Sequence, residues 1–467
     1  MRDLILAALL FGSVPFILWR PAIGVFLWVW VSIMAPHRMT FGFAHDFAFA
    51  QLIAIATLIG MLFSREPKRL PVTPVTVVLF LMVLWINVTT FFALDTDLAL
   101  PMWERVMKIQ LMVFVTLYIL HSKQHIQLLI WVTALSVGFY GVKGGLFTLR
   151  GGGGEGLVWG PPGSFIEDNN SLALATVMTI PVLYYLFMQT SKRWLRWGLL
   201  GAVLLCGFSV LGSYSRGAFL GIAAMIGSLW WKSRTKLVTA FALALLIPVA
   251  IGLMPEKWEE RMWSIQKYDQ DASSLGRINA WMMAVNLAND RPLVGGGFGI
   301  DNERVFGRYA PNPSDIHAAH SIYFQILGEH GYVGLMLFLL IWFLVWRDAS
   351  WIIGRSRSHG ELRWALDLAR MIQVSLVGYA VGGAFQNQAY FDVPYYLLVA
   401  LVLTRALVEK EIKGLEQKES TPANPQVNAA LGREQGAVAK AAPRSADSPA
   451  GSSSGAHTRS ALVRKVF

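Results

Sequence analysis

The segment A-A-H-S-I-Y-F-Q-I-L-G-E-H-G-Y-V-G-L, residues 318–335, lies between a long polar interval and an apolar run. After His320 the apolar side chains recur at helical spacing, until Gly331 and Gly334 interrupt them. The pattern predicts a histidine at the mouth of a membrane protein, close to the lipid headgroups. Because histidine is common at interfaces, His320 could instead cap a helix or bond a backbone carbonyl.

The composition of the chain indicates an all-α polytopic integral membrane protein. Of its 467 residues, 55% are hydrophobic, and apolar runs of roughly 15 to 21 residues recur with short polar breaks. The net charge of +11 does not indicate a nucleic-acid partner, because the basic residues lie in short loops and in the C-terminal tail. A single cysteine, Cys206, excludes an intramolecular disulfide.

Basic clusters follow alternate apolar runs, and the positive-inside rule places these clusters in the cytoplasm. The two apolar runs within residues 1–35 are short, and Pro15 and Pro21 interrupt them. We therefore expect one effective crossing plus a bent or partial helix there, giving about 12 transmembrane helices with both termini cytoplasmic; thirteen spans is the alternative. The larger intervals expected to face outward are 36–46, 93–104, 148–169, 255–320 and 386–393.

Two domains are predicted. Residues 1–408 form the transmembrane domain, including the large outward loop 255–320, in which a stretch around Trp258 and Trp263 predicts an amphipathic helix on the membrane surface. Residues 409–467 lack apolar periodicity, so they are expected to form a disordered cytoplasmic tail.

Two arginines are candidates for binding an anion. Burying an arginine at the bilayer centre costs at least ~2.5–3.5 kcal/mol, so Arg216 is expected to open a helix at the outer membrane boundary. Arg277 is expected near the start of a helix that opens at Leu275, before a tight turn at Gly295–Gly299. Backbone amides at helix N-termini attract anions, which favours both sites. The alternative for Arg216 is a side chain that reaches up to lipid phosphate.

Other polar patterns are less specific. Asn169 and Asn170 could cap the next helix, the interpretation that we favour, or direct their amides into a cavity. Asp95-Thr96-Asp97 resembles the metal-holding pair of nucleotide-sugar transferases, but such a short pattern is often accidental, and no metal is expected. The glycine run at 151–154 lacks the lysine of a phosphate-binding loop, so it predicts a flexible outer loop.

Several of these residues carry a family resemblance that covers roughly residues 1–410. His320-Ser321, followed after nine residues by Gly331-x-x-Gly334, resembles the histidine signature of bacterial O-antigen ligases. Arg216-x3-Leu220 looks like a second motif of that family, and the region around Arg277 is similar to the wider ligase and polymerase superfamily. Pro36-His37-Arg38 and the segment 163–170 are most similar to a subgroup of exosortase-associated O-glycosylation ligases.

The resemblance implies a multi-pass glycosyltransferase of the GT-C type in the bacterial inner membrane, with its active site facing the periplasm. Such an enzyme transfers a finished glycan from undecaprenyl diphosphate to a lipid A–core hydroxyl, in an inverting reaction without metal or cofactor. His320 would be the base or an orienting group, and Arg216 and Arg277 would bind the diphosphate. Ser321, Asn169 and Asn170 would contribute further substrate contacts.

Three other activities remain open at the level of sequence. A Wzy-type O-antigen polymerase and a protein O-oligosaccharyltransferase use the same kind of donor. A flippase for lipid-linked glycans would move the lipid without forming a glycosidic bond. We see no inverted repeat of the kind that transporters often show, which favours an enzyme.

Overall fold

A computed structural model describes residues 1–151, 157–233, 235–252 and 272–420, and within these ranges the regular structure is helical. Residues Met1–Glu411 form one compact unit, which holds all the candidate residues. The α-helices are α1 (Arg2–Trp19), α2 (Pro21–Met34), α3 (Phe49–Phe63), α4 (Pro74–Phe91), α5 (Thr96–Ile119), α6 (Lys123–Leu149), α7 (Asn169–Gln189), α8 (Arg193–Leu211), α9 (Arg216–Lys232), α10 (Lys236–Gly252), α11 (Ala272–Asp290), α12 (Glu303–Tyr309), α13 (Ile322–Ser356), α14 (Arg363–Gly383) and α15 (Asp392–Ser420).

Among the described helices, six are long and apolar enough to cross a membrane, namely α1, α4, α6, α7, α8 and α13. Helices α2 and α3 are apolar but shorter. The architecture is therefore that of a polytopic membrane protein, and the total of about 12 spans stays a prediction.

The N-terminal helices form a hairpin, which differs from the single crossing expected in residues 1–35. The chain reverses at Arg20, where α1 ends and α2 begins. The Asp3 carboxylate accepts hydrogen bonds from the backbone amides of Gly42 (2.9 Å) and Ala44 (3.3 Å). The start of α1 consequently lies on the same side of the bundle as the 36–46 interval, which was expected to face outward, and this argues against the favoured cytoplasmic placement of Met1. Pro21 starts α2 instead of interrupting a helix, because the first helical position needs no amide donor.

The intervals expected to face outward meet at one end of the bundle. Hydrogen bonds among these intervals and the residues next to them join Leu94 N to Gly296 O, Arg105 Nη2 to Gly163 O, and Ser321 N to Asn387 Oδ1. Asn169 Nδ2 also donates to Ser213 O, at the turn before Arg216. At the opposite end, Arg69 N donates to Tyr118 O, and the Lys123 ammonium lies 5.1 Å from the centre of the Trp364 ring. The grouping of the loops thus agrees with the alternation of basic clusters.

A break within α13 follows the predicted glycine interruption. Gly331 has φ +67° and ψ −170°, which is not helical. The backbone amides of Gly296 and Gly297 donate to the carbonyls of Gly328 (2.8 Å) and Glu329 (2.9 Å). These bonds satisfy carbonyls that the break leaves without helical partners. The predicted tight turn is thereby fixed against the beginning of α13, because glycines at positive φ let its backbone come close.

The C-terminal helix is longer than expected. Helix α15 continues to Ser420, so the residues after 409 begin as helix and not as the disordered tail that was predicted. The rest of the tail, the glycines at 152–154 and the stretch around Trp258 and Trp263 lie outside the described residues.

Candidate functional site

A polar cavity of about 200 Å³ lies at the end of the bundle where the intervals expected to face outward meet. It brings together four of the six predicted site residues, which come from α7, α9, α11 and the loop before α13. Its lining consists of Asn170, Tyr214, Arg216, Gly217, Ser273, Arg277 and His320. Residues more than 100 positions apart therefore share one small chamber containing two guanidinium groups and one imidazole.

Arg216 is the first residue of α9, as predicted. The preceding turn is tight, because Tyr214 has φ +57° and the Ser213 amide donates to the Val210 carbonyl. Ser215 caps the helix, with its hydroxyl accepting from the Ala218 amide at 3.3 Å. This local structure places the Arg216 side chain at a helix N-terminus, where the exposed amides add to its positive charge.

The position of α9 depends on glycines that face α14. A Cβ atom on Gly217 would lie 2.7 Å from the Cβ of Phe385, and one on Gly221 would lie 3.2 Å from the Cα of Gly382. Small residues at such positions allow helices in a membrane to approach closely. Gly217 also lines the cavity, so this packing sets one of its walls.

Arg277 lies one turn further inside its helix than predicted. Helix α11 is already formed at Ala272, the first residue described in this part of the chain, ahead of the expected start at Leu275. Since the attraction of a helix terminus for anions falls off within the first turn, Arg277 contributes mainly its own guanidinium charge. Asn279 attaches this helix to the loop that leads to His320, donating to the carbonyls of Asn312 (2.8 Å) and Asp315 (2.9 Å).

His320 is held in an uncommon backbone conformation. Its φ is +44°, a region in which residues other than glycine are rare. On one side, the Trp281 indole donates to the Ala319 carbonyl at 2.6 Å; on the other, the Ser321 amide donates to Asn387 Oδ1 at 3.2 Å. The imidazole is thus presented from a clamped loop. His320 does not cap α13, whose N-cap is Ser321.

The surroundings of His320 favour the neutral imidazole. Burial, followed by the positive charge of Arg277, lowers the pKa of His320 below its ordinary value, and the carboxylates of Asp168 and Asp301 oppose this only in part. A neutral ring at pH 7 has one nitrogen free to accept a proton. In this chamber the imidazole can therefore act as a base beside two cations.

The two asparagines have different positions. Asp168 caps α7, accepting from the amides of Asn170 (2.9 Å) and Ser171 (3.0 Å), so the favoured prediction that an asparagine caps this helix is wrong. Asn169 donates to the Ser213 carbonyl at 2.8 Å and thereby connects α7 to the turn before Arg216. Asn170 lines the cavity, and Asn169 does not.

Ser321 is also absent from the lining of the cavity. Its side chain is 1% exposed, and its hydroxyl has no hydrogen-bond partner among the described residues. Tyr214 and Ser273, in contrast, line the cavity but were not among the predicted residues. Ser273 lies four positions before Arg277, a spacing that places both on one face of a helix and could have identified it.

The Asp95-Thr96-Asp97 pattern has a structural explanation. Asp95 is the N-cap of α5, and its carboxylate accepts from the Leu98 amide at 3.1 Å. The capping role accounts for an acidic residue at this position without a metal.

Two family models match the chain. Residues 201–339, which include Arg216, Arg277 and His320, match the family described as O-Antigen ligase. Residues 1–191 match a family of unknown function (DUF5935). No curated protein matches the chain. The match over residues 201–339 supports membership of the O-antigen ligase superfamily, whose members are glycosyltransferase-like ligases and polymerases.

Proposed function

We propose that this chain is an O-antigen ligase-type glycosyltransferase that moves a glycan from undecaprenyl diphosphate to an acceptor hydroxyl. The observation that carries the proposal is the joint lining of one cavity by Arg216, Arg277 and His320. Both arginines and the histidine also fall inside the region that matches the O-antigen ligase family. The acceptor that the resemblance implies is the lipid A–core, and the cavity would then face the periplasm from the inner membrane.

The two arginines would bind the diphosphate of the donor. A guanidinium presents N–H donors in a planar fork that matches two phosphate oxygens, and such charge-assisted bonds are stronger than neutral ones. As the bond between the anomeric carbon and the diphosphate breaks, negative charge grows on the leaving oxygen. Arg216 and Arg277 would stabilise that charge, which is the task that a divalent cation performs in many nucleotide-sugar transferases.

His320 would act on the acceptor. In the proposed step the acceptor oxygen attacks the anomeric carbon from the face opposite the diphosphate, which inverts the configuration. The hydroxyl proton passes to a ring nitrogen of His320, and undecaprenyl diphosphate leaves. A base with a pKa near or somewhat below the working pH suits this transfer, because it is neutral before the reaction and accepts the proton during it. Asn170 and Tyr214 would orient the sugar or the phosphates in the same chamber.

Disrupting the gene in its host and separating the lipopolysaccharide on a gel tests the function. We expect the O-antigen ladder to disappear while glycan accumulates on undecaprenyl diphosphate. Retention of a single repeat unit on the core would indicate a polymerase. An unchanged ladder with loss of glycan from a surface protein would indicate a protein O-oligosaccharyltransferase. Accumulation of the lipid-linked glycan only on the cytoplasmic side would indicate a flippase.

A further inference from the structure

A second polar cavity, of about 280 Å³, lies between α2, α3, α5 and the loop before α7. Its charged lining residues are Arg38, Glu104, Arg105 and Lys108, so cations outnumber carboxylates among them. Glu104 is paired with Lys108 at 2.5 Å, and Arg38 with the exposed Asp46 at 2.9 Å. The remaining cation, Arg105, contacts no carboxylate within ion-pair distance among the described residues, which makes it the principal anion-binding group of this cavity.

The Arg105 guanidinium is held directly by neutral groups, while the carboxylates of Asp392 and Glu167 act on its charge from beyond ion-pair distance. It lies 3.8 Å from the centre of the Phe165 ring, and its Nη2 donates to the Gly163 carbonyl at 3.1 Å. Stacking on an aromatic face uses the plane of a guanidinium and leaves its N–H edges able to bind an anion. The Phe165 carbonyl in turn accepts from the Gln388 side chain, which fixes the platform under Arg105.

His37 adds an unsatisfied polar group to the same lining. Its Nδ1 is buried and has no hydrogen-bond partner among the described residues. Burial, followed by the charge of Arg38, lowers the pKa of His37 to about 4, so the ring is neutral at pH 7. A buried polar atom without a partner is costly, and a ligand hydroxyl or phosphate oxygen would remove that cost.

The two cavities are neighbours along the chain. Gly163, Ser164 and Phe165 line the second cavity, and Asn170, at the start of α7, lines the first. One short segment thus borders both chambers. Glycosyl transfer needs two substrates, and the first cavity, at about 200 Å³, is smaller than the roughly 300–1,000 Å³ of typical ligand pockets.

We infer that the second cavity binds an anionic group, a phosphate or a carboxylate, on the acceptor, with Arg105 as its main contact. This inference rests on the proposed function, because it assigns the acceptor of the same reaction. All lining residues of this cavity lie within 1–191, the region that matches the family of unknown function. The N-terminal half would therefore recognise the acceptor, while the ligase-like region binds the donor. His37, Arg38 and residues 163–165, which belong to the two subgroup segments, would then be acceptor-recognition elements.

Binding by the full-length protein in phosphatidylcholine nanodiscs tests the site without requiring turnover. The probes are glucose 1-phosphate and glucose, titrated calorimetrically into wild type, Arg105→Gln, Arg216→Gln and Arg304→Gln. Arg304 is the matched control, since it also donates to a backbone carbonyl, Leu94 O at 3.3 Å, but lies outside the lining of both cavities. Arg105→Lys, which keeps the charge and the stem, separates loss of recognition from misfolding.

We expect the sugar phosphate, but not glucose, to bind, with affinity reduced about tenfold or more in Arg105→Gln and unchanged in Arg304→Gln. Arg105→Lys should retain the fold and part of the affinity. Absence of phosphate-dependent binding, or binding reduced by Arg216→Gln alone, would overturn the inference. So would competition by phosphatidylglycerol added to the nanodiscs, because the cavity would then hold lipid headgroups.

Kinetics separate this inference from the proposed function. With a lipid diphosphate donor and a phosphorylated acceptor, Arg105→Gln should raise the acceptor KM about tenfold and leave the donor KM unchanged. An effect on the donor KM alone would contradict the assignment to the acceptor. If the wild-type protein transfers no glycan while sugar phosphate binding still depends on Arg105, the proposed function fails and the anion site stands.

Discussion

At the scale of single residues, the conformation of His320 connects structure to chemistry. A positive φ on a residue other than glycine costs of order 1–3 kcal/mol and persists where neighbouring contacts enforce it. Trp281 and Asn387 supply those contacts on either side. The strained loop places the imidazole in a buried position beside Arg277. Burial, followed by the charge of Arg277, lowers the pKa of His320 and keeps the ring able to accept a proton.

The pH dependence of transfer follows from that environment. Since His320 must be neutral to act as a base, kcat/KM for the donor should rise with pH through a pKa below 6.5 and be flat near pH 7. The negative charge of bound diphosphate opposes the effect of Arg277 on the pKa of His320, so kcat should rise at higher pH than kcat/KM does. Initial rates measured from pH 5 to 8 give both pH profiles. If the residual activity of His320→Ala rose over the same pH range, another group would be titrating.

The charge geometry of Arg216 gives a second test at this scale. Arg216→Lys keeps the positive charge but removes the planar fork, so we expect transfer to fall about 10–100-fold. The drop should be seen in kcat/KM for the donor, measured with the purified protein. Arg304→Lys, on the same side of the bundle, serves as the control. Equal activity of Arg216→Lys and wild type would exclude bidentate phosphate binding by this residue.

At the scale of elements, the break in α13 and the glycine turn form one unit. A Cβ on Gly331 would lie 2.4 Å from the Leu293 carbonyl oxygen, in addition to the strain of its positive φ. The Tyr332 amide, just after the break, donates a hydrogen bond to the carbonyl of Pro292, just before the glycine turn. The break and the turn therefore hold each other in register. The loop that presents His320 leads directly into this helix.

A pair of glycine substitutions in α13 tests that coupling. Gly331→Ala should destabilise the protein by about 1–3 kcal/mol or more, because both the space and the backbone conformation exclude a side chain. Gly354→Ala is the matched control, since nothing lies within 4 Å of its added Cβ, and it should be neutral or stabilising by about 0.5–1 kcal/mol. Thermal unfolding in nanodiscs compares them. A Gly331→Ala protein as stable as Gly354→Ala would show that the break is not required.

The glycine break and the start of α9 could be predicted from the sequence, because glycine runs and an arginine between apolar segments have local physical consequences. The cap of α7 could not, since three adjacent residues could all serve as the cap, and it is Asp168 and not an asparagine that accepts the amides. Tyr214 and the second cavity were not predicted either. These depend on contacts between segments far apart in the chain, such as Arg105 with Gly163, and no local pattern encodes them.

At the scale of the whole molecule, the N-terminal hairpin decides the orientation of the first helices. Asp3 bonds the 42–44 segment, so the beginning of α1 shares a side with the loops around the cavities. Arg20 lies at the other end of the hairpin, where Leu18 packs against Gly60 near the end of α3, shortly before the basic segment 65–69. The charge distribution then agrees with the positive-inside rule if the chain crosses the membrane twice within residues 1–35.

Labelling of introduced cysteines tests this topology. The native Cys206 is buried and its burial makes it a poor background nucleophile. Arg2→Cys and Phe41→Cys should react with a membrane-impermeant maleimide added from the periplasmic side, and Arg65→Cys should react only after the membrane is opened. Protection of Arg2→Cys together with Arg65→Cys would restore the single crossing in residues 1–35.

The proposed function requires that His320 work with Arg216 and Arg277 in one chamber to transfer a glycan. The most direct measurement is transfer by purified protein from a lipid diphosphate donor, comparing His320→Ala with His317→Ala. His317 lies in the same loop, 2.8 Å from the Asp315 carboxylate, and outside the lining of the cavity. We predict a loss of about 10²–10⁴-fold in His320→Ala and near-wild-type activity in His317→Ala, both unaffected by EDTA. Full activity of a folded His320→Ala protein would contradict the account.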